Sequence, residues 1–407
     1  MRRYSHLLIL VILFHSNLFS QQNTPVEIQD VINLIDQNKV IEYITTLQNY
    51  GTRFMLGENR FQVAGWIKSQ FEGMGFTNVE LDSFDCHTTI DLPPRGTHID
   101  TVTTQVNVVA TLPGSEKPDE IYIICGHYDS YTNNVSPLEQ APGADDNASG
   151  TTAVLESARA IMAAGYQPKA TLKFIAFAAE ELMHFGDAGS EHYATQAAER
   201  GDDIKLVINN DMIGYNVSTS AIDIVNMGHQ NYSNIGQAVY YAMNYSDLQI
   251  NPNGYAGADL LTFFAKGYEG IYFEESIFNT AHYHKTTDII DYVSTGYCTE
   301  VIKAACAVLL GMQQTLTGTE IVELPKEHLL YQNYPNPFNP VTIIKYQVAE
   351  PATVVMKIYN TLGEEIAEPV HFYHQTGVYQ IEFDGSNLPS GLYIDGKRDN
   401  KKMLLLK

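Results

Sequence analysis

The sequence predicts an α/β fold, a mainly parallel sheet sandwiched by helices, joined to a small all-β C-terminal sandwich. Three observations carry this reading. Apolar runs rich in β-branched residues alternate with helical stretches from about Pro25 to Thr317. Most of those runs are apolar on both faces, as the buried strands of a parallel sheet must be. From about Gly318 the texture changes to short alternating strands punctuated by glycine and proline, the pattern of a β-sandwich.

The expected strands of the first part are Gln105–Leu112, Ile121–Cys125, Thr171–Ala178 and Leu206–Asn210, with helices at Thr151–Ala164, Ser190–Arg200 and Ile235–Asn244. Strand–helix alternation places helices on both faces of one sheet. Functional groups in such a sheet gather at the carboxyl ends of its strands. The second part reads as strands at Val341–Val348, Thr353–Tyr359, Val378–Phe383, Gly391–Ile394 and Lys402–Leu406. With 407 residues there is room for one large domain, residues 25–317, a linker at 318–330, and a small domain at 331–407.

Met1-Arg2-Arg3 and the apolar run Leu7–Phe14 have the form of a secretory signal peptide over residues 1–20. That run, like Ala304–Met312, is shorter than the roughly 20 residues that cross a bilayer, so no stable membrane span is expected. Lys and Arg number 24 against 47 Asp and Glu, a net charge of −23, which opposes nucleic acid as a partner. There are 4 cysteines and no Cys-x-x-Cys, which argues against both a disulfide framework and a thiolate zinc site. Cys125 reads as a packed core thiol. Cys298 and Cys306 fall on one helix, too far apart to pair.

Acids and histidines recur where apolar strands end. His127 closes Ile121–His127, and Asp129 follows two residues later, placed to accept from the other ring nitrogen. Asp145-Asp146-Asn147 leads straight into a helix. One such residue suffices as an N-cap, which leaves a carboxylate free to bridge two cations about 3.5–4 Å apart. Glu180-Glu181 ends an otherwise apolar strand, where adjacent like charges are costly unless cations neutralise them. Asp211-Met212 ends another, and His282-Tyr283-His284 precedes Asp288. Imidazole and carboxylate are the ligands that zinc takes where thiolate is lacking.

The set Gly126-His-Tyr-Asp-Ser130, Ala141-Pro-Gly-Ala-Asp-Asp-Asn-Ala-Ser-Gly150, Ala178-Ala-Glu-Glu181, Asn210-Asp-Met212 and Tyr283-His-Lys-Thr-Thr-Asp288 resembles the co-catalytic dizinc aminopeptidases, which include secreted bacterial leucyl aminopeptidases. The resemblance runs from about Ile32 to Gln314 and implies a mixed sheet between helices, as in zinc exopeptidases. It also implies two Zn²⁺ ions: Asp146 would bridge them, His127 and Asp211 would complete one shell, and Glu181 and His284 the other. Glu180 would be the general base, Asp129 the partner of His127, and Met212, Tyr255 and Phe278 the side-chain pocket. Peptides with a free amino end would be the substrates. Retention of Glu180, Glu181 and Asp146 favours hydrolysis over glutaminyl cyclase chemistry on the same fold, and no ligand is missing, as one would be in a non-catalytic binding protein. The chain departs from the family at Leu182–Ser190, which is longer than usual, and at Ala258-Asp259-Leu260, where Ser-Asp-His is usual.

The tail motifs Asn333–Pro340, Ser390-Gly-Leu-Tyr393 and Lys401–Lys407 resemble the C-terminal sorting domain of type IX secretion substrates. This implies secretion machinery as a partner and a secreted or cell-surface location.

Overall fold

The computed structural model describes residues 26–182, 188–216, 223–230, 232, 234–252, 256–257, 259–314, 327–349, 352–374, 377–395 and 401–406. The expected signal peptide and most of the expected linker lie outside them.

In chain order the first part comprises α1 (Ile28–Ile32), α2 (Gln37–Gln48), α3 (Arg60–Gly73), β1 (Val79–Leu92), β2 (Thr97–Leu112), β3 (Lys117–His127), α4 (Ala148–Ala164), β4 (Ala170–Phe177) and α5 (Gly189–Arg200). It continues with β5 (Asp203–Asn210), β6 (Ile224–His229), α6 (Ile235–Tyr245), β7 (Gln249–Asn251), α7 (Leu260–Ala265), β8 (Gly270–Glu275) and α8 (Thr295–Gly311). One sheet runs β1-β2-β4-β3-β5-β8-β6-β7. Its centre, β4-β3-β5-β8, is parallel, while β1-β2, β2-β4 and β6-β8 are antiparallel. The sheet is therefore mixed.

Side-chain alternation sorts the core onto two faces. Tyr122, Ile124, Phe174, Ile208 and Phe273 pack under α1–α4, α6 and α8, whereas Ile123, Cys125, Ile175, Phe177, Val207 and Tyr272 pack under α5 and α7. The apolar stretch Ala304–Met312 falls mostly within α8 and is buried in the first core. Among the described residues no helix is long and apolar enough to cross a membrane. All four cysteines are buried, and none is in a disulfide.

The expected strands and helices form within a few residues of their boundaries. The sequence reading did not name α1–α3, β6–β8, α7 or the later strand Glu365–His374, and it left out the outer half of the β1–β2 hairpin. Its residues alternate buried and exposed, and charged outward positions break any apolar run.

In the second part β9 (Leu329–Leu330), β10 (Val341–Val348) and β13 (Gly377–Asp384) form one sheet, and β11 (Ala352–Tyr359), β12 (Glu365–His374), β14 (Gly391–Asp395) and β15 (Lys401–Leu405) another. Ile344, Tyr346, Ile358, Met403 and Leu405 share one core. The proline-rich segment covers the outer edge of β15. Asn336 donates to Lys402 O at 2.8 Å and accepts from Leu404 N at 2.9 Å, and the Phe338 backbone continues the pairing. A covered edge strand cannot pair with another chain.

Candidate metal centre

Each predicted ligand sits at the carboxyl edge of the parallel strands. His127 is the last residue of β3, Asp211 follows β5, Glu180 and Glu181 follow β4, Asp146 precedes α4, and His284 lies in the loop after β8. They converge. His127 Nε2 lies 3.3 Å from Asp211 Oδ1 and 3.5 Å from Asp146 Oδ1. His284 Nε2 lies 2.8 Å from Glu181 Oε2 and 3.2 Å from the other Asp146 oxygen, Oδ2. Glu180 Oε2 is 3.6 Å from His127 Nε2. The two oxygens of Asp146 thus face two different imidazole–carboxylate pairs.

The local chain is built to hold this arrangement. Asn147, not Asp146, caps α4, accepting from Gly150 N at 2.7 Å. Asp288 accepts from the Asp145 and Asp146 N–H groups at 2.9 and 3.0 Å. Its place four residues after His284 therefore serves the bridging loop rather than the histidine. Asp129 lies 3.4 Å from His127 Nδ1, and it accepts from the N–H groups of Glu180 and Glu181 at 3.1 and 3.2 Å. Asp129 thus stands against His127, where it was expected, and its oxygens also pin the glutamate pair. Asn107 secures the same segment by accepting from Ala178 N at 3.1 Å.

Ala179, Met212 and His284 have φ of 62°, 50° and 53°, left-handed values that cost free energy for residues with a Cβ. His284 is an expected ligand, and Ala179 and Met212 are immediate neighbours of Glu180 and Asp211. Gly143, at φ 53°, is required for a related reason: a Cβ there would meet the Asp146 carbonyl, Ser130 and Arg53. Arg53 is fully buried and donates to the carbonyls of Tyr128, Pro142 and Gly143 at 2.6–2.7 Å. Burial lowers its pKa to about 10.

The electrostatics call for cations. Burial opposes charge on His127, yet Glu180 and Asp211 among others lift its pKa well above the ordinary value. Burial likewise opposes charge on His284, which Glu181 and Asp146 raise to about 11. Burial pushes Glu180 well up and Glu181 to about 7. Both ring nitrogens of His127, Glu181 Oε1 and Asp211 Oδ1 are buried without a hydrogen-bond partner. Ligand atoms of His127, Asp146 and Glu181 lie within 4.8 Å of one another. Two imidazoles and three carboxylates with unsatisfied atoms, and no thiolate, fit zinc.

His282, which also precedes Asp288, has partners of its own. It hydrogen-bonds Thr287 and stacks on Tyr292 at 3.9 Å between ring centroids. The Tyr283 ring stacks on His284 at 3.8 Å, and Phe278, 45% exposed, meets Tyr283 edge-on at 4.9 Å. Met212 is buried beside Asp211. Tyr255 lies outside the described residues, as do residues 183–187 of the lengthened loop.

Sequence reasoning did not single out Arg53, Asn107 or Glu275, and noted Asp145 only as the neighbour of Asp146. Asp145 accepts from Gly214 N and from Asn279 Nδ2, and Glu275 accepts from Asn279 N and Tyr215 N. These groups tie the Asp146, Asp211 and His284 loops together. Their only sequence signal is an acid beside a ligand or at a strand end, and surface acids carry the same signal.

Residues 107–309 match the model of peptidase family M28, and residues 332–404 that of the secretion system C-terminal sorting domain. A probable zinc metalloprotease of Pyrenophora teres f. teres is 33% identical over 195 residues, covering 46% of this chain and 41% of that protein. The chain thus spans less than half of that relative. Leucine aminopeptidase 1 of Chaetomium globosum is 25% identical, covering 74% of this chain and 73% of that protein. Among solved structures, the Legionella pneumophila LapA aminopeptidase superposes with a TM-score of 0.57 at 20% identity, covering 78% and 81% of the two chains. The aminopeptidase from Aneurinibacillus sp. strain AM-1 gives 0.55 at 17%, covering 70% and 95%. The fold is that of the zinc aminopeptidases. Through residues 107–309 the chain belongs to peptidase family M28, and it carries a secretion system C-terminal sorting domain at residues 332–404.

Proposed function

We propose that the chain is an aminopeptidase with two zinc ions that removes the first residue from peptides with a free amino end, outside the cell after export through its C-terminal domain. The carrying observation is the Asp146 carboxylate, one oxygen toward His127 and Asp211 and the other toward His284 and Glu181. His127 and Asp211 would hold one ion, Glu181 and His284 the other, with Asp146 shared. When bound, such a pair supplies a Lewis acid that lowers the pKa of water from about 15.7 toward neutrality and polarises the substrate carbonyl.

Glu180 Oε2 stands beside His127 Nε2 without serving as one of those five ligands. Its carboxylate takes the proton of the attacking water and returns it to the departing amine. Burial raises its proton affinity, as that role requires. Asp129 acts through the backbone, keeping Glu180 and Glu181 divergent so that each serves its own task. The substrate's first side chain would lie against Met212, Tyr255 and Phe278. The signal peptide and the sorting domain together supply the route out of the cell.

Mass spectrometry of a peptide offered with a free and with an acetylated amino end tests the reading. Stepwise loss of first residues from the free peptide alone is expected. Internal cleavage, or equal attack on the acetylated form, would contradict it. Loss of ammonia from an amino-terminal glutamine without loss of a residue would indicate cyclase chemistry instead.

A further inference from the structure

The carboxyl edge of the parallel strands carries a row of groups: Glu180 and Glu181 after β4, His127 on β3, Asp211 after β5 and, one strand further, Glu274 on β8. The register sets this order. Asn209 pairs with Tyr272 and Asn210 with Phe273, so Glu274 comes level with Asp211. Paired residues in a sheet share a face, and Tyr272, two residues before Glu274, donates its hydroxyl to Asp211 Oδ2 at 3.3 Å. Asp211 is accordingly the charged group that Glu274 feels.

Nothing in the metal centre uses Glu274. Its neighbour Glu275 is engaged by two backbone N–H groups. Glu274 is half-buried, and among the described residues it enters no ion pair and no side-chain hydrogen bond. A half-buried carboxylate beside a second one is costly unless a cation meets it. Among the described residues no cationic side chain is paired with Glu274.

We propose that Glu274 receives the cationic side chain of a lysine or arginine at the amino end of the substrate, making the site selective for basic first residues. This rests on the aminopeptidase reading above. Cleavage requires the scissile carbonyl over Glu180, His127 and Asp211. Neighbouring strands are about 4.8 Å apart, so the part of the substrate that reaches one strand beyond Asp211 is its first side chain. Lysine and arginine also carry apolar stems. Ile277 and Phe278, just beyond Glu274 in the chain and exposed by 41% and 45%, offer apolar surface to them.

The test measures kcat/KM of the zinc-loaded full chain on the p-nitroanilides of lysine, arginine and leucine, with bound zinc counted in every variant. Wild type is expected to favour lysine and arginine. Glu274→Gln should lower the lysine-to-leucine ratio about tenfold or more, chiefly through KM and with zinc retained. Glu274→Leu should reverse the preference. An unchanged ratio in Glu274→Gln overturns the assignment. So does an equal fall on all three substrates, which would make Glu274 an acceptor of the α-amine, or loss of zinc, which would make it a ligand. A wild type that cleaves none of the three overturns the aminopeptidase reading and this assignment with it; the other outcomes leave that reading standing.

Discussion

Asp288 Oδ2 accepts the backbone N–H of Asp146 at 3.0 Å, while its other oxygen accepts that of Asp145. The Asp146 backbone is therefore positioned from the loop that also carries His284. Asp288→Asn keeps the shape but leaves one acceptor oxygen for two buried N–H groups. We expect a loss of about 1–3 kcal/mol in urea unfolding and metal affinity about 10–100-fold weaker in chelator competition. Unchanged values in both measurements would show that Asp288 does not hold the loop.

Glu180→Gln removes the proposed base and leaves all five proposed ligands in place. Turnover should fall by roughly 10²–10⁴-fold, with zinc content and melting temperature close to wild type. Turnover within a factor of two of wild type would remove Glu180 from the chemistry.

Asp146→Asn tests the bridge. An amide offers one neutral oxygen where the carboxylate offers two charged ones, so both metal positions should weaken together in equilibrium dialysis. A variant that loses one ion and binds the second with unchanged affinity would contradict a shared ligand.

The metal-free protein should respond to pH in a defined direction. Despite burial, Glu181 and Asp146 raise His284 from 6.5 to about 11, and burial raises Glu181 from 4.5 to about 7. Both groups hold protons more tightly folded than unfolded. Their contribution to stability is complete below the unfolded values and is lost as pH rises through about 7 for Glu181 and about 11 for His284. Calorimetry should show the metal-free chain melting lower as pH rises from about 5 to about 9. Zinc must displace those protons, so the gap in Tm between loaded and metal-free protein should widen over the same range. A narrowing gap would contradict this linkage.

Four of the five expected ligands stood out in the sequence because they follow an apolar strand or open a helix, where a charge has no structural excuse; His284, in the loop after β8, stood out only by its motif. Asp146 was picked out by its motif position, and in the structure the cap of α4 falls to Asn147. What stayed hidden depends on tertiary geometry. Asp129 and Asp288 were noticed for their spacing to histidines, yet their oxygens bond backbone N–H groups of other loops. Arg53 lies far upstream, and its three carbonyl partners come from 75 to 90 residues away. The outer half of the β1–β2 hairpin was unreadable because its outward residues, such as His87 and Asp100, are charged or polar and pair with each other across strands.

Anomalous diffraction at the zinc absorption edge, on crystals of the zinc-loaded protein, bears most directly on the centre. Two peaks are predicted, one beside His127 and Asp211, the other beside His284 and Glu181, each within bonding distance of a different Asp146 oxygen. A single peak, or two peaks that do not share Asp146, would contradict the account.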